Sequence, residues 1–158
     1  MKHVSLASIE KAIKIVDNLD DDQLENITEN FANAQPNLIS YVLSAPEEYD
    51  NDELEGLLIY YFCLISEAFK QEGITLREVT EEDIDANEEP FFQMLDEYFE
   101  TENEEILESF CDQPNLAQFM AIEVSTDDDD GSSFDEETAT QLFIVSLSMI
   151  TLMNRAIV

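Results

Sequence analysis

Carboxylates are the only chemically active side chains this sequence holds in number: 38 Asp and Glu stand against six Lys and Arg, one His and two Cys. His3 is the single histidine and lies near an end expected to fray. Ser-His-Asp and Cys-His catalysis are therefore excluded, except in forms that use another base. The Glu-x-x-His motif of di-iron bundles and His-based zinc sites fall for the same reason. Cys63 and Cys111 are too few for a structural zinc site, and three glycines cannot build a phosphate-binding loop.

What remains is carboxylate chemistry. Glu104, Glu105 and Glu108 share a helix face, as do Glu81 and Asp85. At this density of acids such pairs arise without selection, and we read them as solvated faces rather than acid/base pairs. Thr126–Glu137 contains four consecutive aspartates and partly matches an EF-hand loop. With Gly131 at position six, Asp128, Asp130 and Glu137 fall on ligand positions three, five and twelve. Thr126 then occupies position one and Ser133 position eight, and both are mismatches. Asp128, Asp130 and Glu137 are thus the candidate metal ligands, in a pattern that favours weak, nonspecific attraction of Mg2+ or Ca2+ over a built site. No catalytic residue and no cofactor is assigned.

The formal net charge is -32. Such a surface repels nucleic acid and anionic lipid, since nucleic-acid binding needs cations that displace counterions. We expect no direct nucleic-acid binding and no membrane association; a basic protein is the natural partner, and a general solubility or salt adaptation the alternative. The charge is uneven. Residues 1–77 carry 15 acids and five bases, whereas residues 78–158 carry 23 acids and one base. The candidate partner-binding residues are accordingly Glu81, Glu82, Asp83, Glu104, Glu105 and Asp127, Asp128, Asp129 and Asp130.

Those residues must be positioned by helices. Glycine and proline are scarce, three and four in 158 residues, which favours long helices over a many-stranded fold. Apolar residues recur at helical spacing over 6–19, and Asp20 with Gln23 has capping-box spacing for a second helix ending near Gln35. Pro36 starts a short third helix, and Pro46 to Asp52 is expected to be a polar connection. Residues 53–70 are apolar almost all round, as a central helix should be, and Gly73 stops them. Residues 74–79 alternate like a short strand, and Thr80 to Asp83 looks like a capped helical turn. Helical periodicity resumes over 89–100 and 103–111, breaks at Pro114, and returns before the loop at 126–133. The last helix, 137–155, has about 15 apolar or small residues in a row, short of the roughly 20 a membrane span needs.

Gln35-Pro36-Asn37-Leu38 recurs as Gln113-Pro114-Asn115-Leu116, shifted by 78 positions. Phe31 and Phe110 precede the two copies, Tyr41 and Phe119 follow them, and each copy leads through an acidic loop to an apolar helix. We read this as duplication, with units 6–72 and 86–156 and a connector at about 73–85. Pro explains the helix break in each; a shared partner-binding role for Gln35 and Gln113, or Asn37 and Asn115, is the sharper alternative. The expected fold is one all-α domain over residues 1–158, a compact bundle of seven to eight helices with pseudo-two-fold symmetry, centred on helices 53–70 and 137–155.

Both cysteines sit in apolar helical patterns, so buried free thiols are expected. With no signal-peptide pattern at the N-terminus, the expected location is cytoplasmic. The expected function is that of a non-enzymatic interaction protein whose acidic face binds a basic partner, as a DNA mimic or an immunity or antitoxin protein would. A carboxylate-based Ca2+- or Mg2+-binding protein or enzyme, and a structural or oligomer-forming domain, are the rival classes.

Overall fold

Capping side chains mark the starts of several helices. The computed structural model describes residues 3–125 and 136–158, and these form eight α-helices. They are α1 (Leu6–Asp17), α2 (Asp21–Ala34), α3 (Pro36–Glu48), α4 (Glu53–Gln71), α5 (Glu81–Thr101), α6 (Glu104–Cys111), α7 (Pro114–Ser125) and α8 (Glu136–Arg155). The Ser5 hydroxyl caps α1 by accepting from the Ser8 N–H at 3.1 Å. Asp20 and Gln23 form the capping box their spacing predicts, with reciprocal bonds of 2.8 and 3.0 Å. Thr80 and Asp83 do the same for α5. At the other end of α4, Gly73 takes a φ of 76°. Its N–H donates to the Lys70 carbonyl and that of Ile74 to the Phe69 carbonyl, both at 3.0 Å, which closes the helix in a Schellman motif.

Helices α4 and α8 pack against each other at the centre. Every residue of α4 from Tyr61 to Phe69 is buried, and α8 is buried from Gln141 to Met153 except at Ile144. Burying a side chain such as Phe62, Leu58 or Leu147 contributes about 1.5–3 kcal/mol each. Around this pair, α1, α2 and α3 pack on α4, while α5, α6 and α7 pack on α8. No described helix is long and apolar enough to cross a membrane.

The two proline tetrapeptides make matching bonds. In the first, Gln35 Oε1 accepts from the Val79 N–H at 2.8 Å, and Asn37 Nδ2 donates to the Val79 carbonyl at 3.1 Å. In the second, Gln113 Oε1 accepts from the Val4 N–H at 2.8 Å, and Asn115 Nδ2 donates to the Val4 carbonyl at 2.9 Å. Val79 and Val4 each stand just before the capping residue of α5 and α1, Thr80 and Ser5, and both are fully buried. Each motif therefore clasps the start of the other half's first helix. These side chains are spent on bonds within the fold, which leaves the sharper partner-binding reading without support.

Three expectations about helix extent are corrected. Helix α3 does not stop at Pro46 but runs on to Glu48. Pro46 falls in the last turn, where it forgoes a single bond to the Val42 carbonyl, and it is buried together with Ala45. Helix α5 starts at Glu81 and passes through Pro90 without ending. Pro90 is exposed, so its ring meets solvent, while the capping box on one side and buried Phe91, Met94 and Leu95 on the other hold the helix. Finally, residues 74–79 form no strand. The only pairing there is an isolated antiparallel bridge between Leu76 and Ile157, because just a few residues of the C-terminal tail lie alongside. His3 is not left loose either, since its Nε2 lies 3.1 Å from Asp112 Oδ1.

Both thiols are free and buried. Burial pushes the Cys111 thiol up to about 11, despite a bond from Thr151 Oγ1 at 3.2 Å, and burial also raises that of Cys63. At about pH 8 the native protein should therefore react with an aromatic disulfide reagent on the order of a hundredfold more slowly than free cysteine. The rate should rise steeply as urea opens the fold. Rapid labelling of two thiols in native buffer would contradict this burial.

Candidate interaction surface

Residues 81–125 contain fifteen acids and no Lys or Arg. Nine of those acids lie on α5, whose 21 residues span about 30 Å. That length divides the predicted face. Glu81 and Glu82 are exposed in the first turn of α5, where they complement the positive end of the helix dipole. Glu104 and Glu105 are exposed in the first turn of α6, at the far end of α5, under the Asn103 cap. The length of α5 separates the two groups; Glu105 shares a hollow with Glu97 instead.

Asp83 has a different role from its neighbours. Arg77 Nη1 and Nη2 donate to its two carboxylate oxygens at 2.7 and 3.2 Å, and the Thr80 N–H donates at 2.9 Å. The Arg77 guanidinium first, then the Thr80 backbone, holds the Asp83 carboxyl well below the usual carboxylate range. Asp83 is thereby committed to fixing the start of α5. Among the described residues the only other contact of this kind is the His3 ring with Asp112, so the remaining acids of α5 and α6 form no ion pair there.

Of the candidate metal ligands, Asp128 and Asp130 lie outside the described residues, as do Asp127 and Asp129. Glu137 is exposed on the first turn of α8 and accepts from Gln141 Nε2 at 3.3 Å. It lines a cavity of about 290 Å³ together with Asp50, Asp52 and Glu53. Among the described residues no group of three or more His, Cys, Asp or Glu side chains is arranged to hold a metal ion.

The feature missed in the sequence is a groove bordered by α5, α6, α7 and α8. Two hollows, of about 190 and 340 Å³, share Tyr98, Glu104 and Ala121. Leu107 and Ala117 line the first and Phe143 and Val124 the second. Phe99 stands at the second hollow 51% exposed, and Phe92, seven residues earlier on the same helix, is 46% exposed. Burial, and next the carboxylates of Glu104 and Glu102, push the Tyr98 phenol up, so acid groups closely flank the apolar wall. The signal was present in the sequence. Phe91-Phe92 and Tyr98-Phe99 are adjacent aromatic pairs, and neighbours on a helix point about 100° apart, so one helix face cannot bury both members. Phe91 is buried and Phe92 is not.

Comparison with protein-family models, with characterised proteins and with solved structures finds no match to this chain.

Proposed function

We propose that this chain is a non-enzymatic interaction protein that binds a basic protein through the acidic surface of its second half. One observation carries this reading: residues 81–125 hold fifteen acids and no Lys or Arg, and of the acids on α5 and α6 only the half-buried Asp83 is ion-paired among the described residues. A surface of this kind attracts cations and accelerates encounter with a positively charged partner. A DNA mimic, whose carboxylates stand in for phosphates, and an immunity or antitoxin protein that blocks a basic toxin are two forms of the same chemistry. The two buried free thiols support a cytoplasmic location.

Immobilised protein should retain a basic protein from source lysate at about 50 mM NaCl and release it by about 500 mM, where screening is severe. Glu104→Gln/Glu105→Gln should weaken retention more than Glu81→Gln/Glu82→Gln, because only the former pair includes a residue that lines the groove. Retention of no basic protein at low salt, or retention indifferent to salt, would overturn the reading.

A further inference from the structure

The groove defines the kind of partner more closely. Resting on the acidic-surface reading above, we propose that the α5–α8 groove seats a cationic amphipathic helix of a partner protein. Apolar side chains of that helix would enter the two hollows beside Tyr98 and Phe99, and its Lys and Arg would meet Glu104 and Glu108.

Shape gives the first argument. Hollows of about 190 and 340 Å³ sit side by side and share three lining residues, which suits successive anchors on one segment. Their walls are helices, and no described strand edge is present to pair with an extended peptide. A helix laid between helices, with anchors at i, i+3, i+4 and i+7, is the recognition mode such walls permit. Exposed Phe92 extends the apolar track about 10 Å along α5 from Phe99.

Charge chooses among occupants. Glu104 lines both hollows and Glu108 lines the first, and no Lys or Arg occurs anywhere in residues 81–125. A second copy of the chain would bring another -32 charges against this face. Anionic lipid and nucleic acid are repelled for the same reason. A cationic helix alone satisfies the apolar floor and the acidic rim together.

The test uses two synthetic peptides of about 14 residues, roughly four helical turns, built from the same Leu and Lys content. One places its leucines along a single face; the other distributes them evenly around the helix. Both are titrated at low salt into isotopically labelled full-length protein. The amphipathic isomer should bind at least about tenfold more tightly and shift the amides of Tyr98, Phe99, Leu107 and Ala121. Phe99→Ser, a change at a half-exposed position, should keep the amide spectrum of the folded protein and reduce the amphipathic isomer to the affinity of the other. Equal binding of both isomers, shifts located elsewhere, or indifference to Phe99→Ser would overturn the groove proposal while leaving the acidic-surface reading intact. Failure of both peptides to bind at low salt would sink both. Self-association of the protein that Phe99→Ser abolishes would put a second copy in the groove and also overturn the proposal.

Discussion

Replacing Gln113 with leucine should destabilise the fold by about 2–4 kcal/mol, and Gln35→Leu should cost a similar amount, read as a shift of the urea unfolding midpoint. Leucine is close in size to glutamine but offers neither donor nor acceptor. Gln113 is fully buried; its Oε1 accepts from the Val4 N–H, and its Nε2 donates to Asn154 Oδ1 at 2.9 Å. Removing it strands a buried backbone donor, for which the penalty is about 1–3 kcal/mol, and adds the loss of the Asn154 bond. Gln35 is 6% exposed, and its loss strands the Val79 N–H together with the Arg77 carbonyl that accepts from its Nε2 at 2.8 Å. Asn37→Ala and Asn115→Ala should cost less, about 0.5–1.5 kcal/mol, because each removes one donor and leaves only a carbonyl that tolerates partial satisfaction. A loss below about 1 kcal/mol for both glutamine variants would mean that the clasps do not hold the helix starts.

These clasps mark the boundary of what the sequence reveals. Capping boxes at Asp20–Gln23 and Thr80–Asp83, the stop at Gly73 and the buried stripe of α4 are legible because cause and effect lie within a few residues. The recurrence of Gln-Pro-Asn-Leu is legible as well, but its purpose is not, since the bonds reach 44 and 109 residues along the chain. With the partners known, Val4-Ser5 and Val79-Thr80 become a further matching pair. The equivalent bonds support our proposal that the two halves descend from one duplicated unit. The course of α5 through Pro90 was hidden for the opposite reason. Local rules end a helix there, and only the burial of Phe91, Met94 and Leu95 on the bundle outweighs them. For the groove, the adjacent pairs Phe91-Phe92 and Tyr98-Phe99 signal that an aromatic is left exposed, but which hollows it borders depends on α7 and α8, distant in the chain.

Raising NaCl from about 0.01 M to about 1 M should raise the melting temperature by about 10 °C, which corresponds to roughly 3 kcal/mol for a domain of this size. The screening length falls over that range from about 30 Å, the full length of α5, to about 3 Å. Repulsion among exposed acids is thereby removed at all but the shortest separations. Salt also screens attractions, but these are few. Arg77–Asp83 is the one Lys or Arg ion pair among the described residues, and exposed pairs contribute about 0–1 kcal/mol each. Repulsion outweighs attraction, which fixes the sign. The opposite behaviour is expected of two particular acids when pH is varied. Asp83 is held low by Arg77 and Thr80, and Glu72 by bonds from Ser5 and Ser8 at the start of α1. A carboxyl whose pKa is depressed by folding stabilises the protein above its ordinary value, about 4, and loses that contribution as pH falls through its folded value. Asp83→Asn and Glu72→Gln should therefore be less stable than the parent at neutral pH, and the difference should shrink only below about pH 4. A gap that persisted unchanged at lower pH would show that these variants act through something other than lost carboxylate bonds. A melting temperature that falls between low and moderate NaCl would show that attraction, not repulsion, governs the acidic surface.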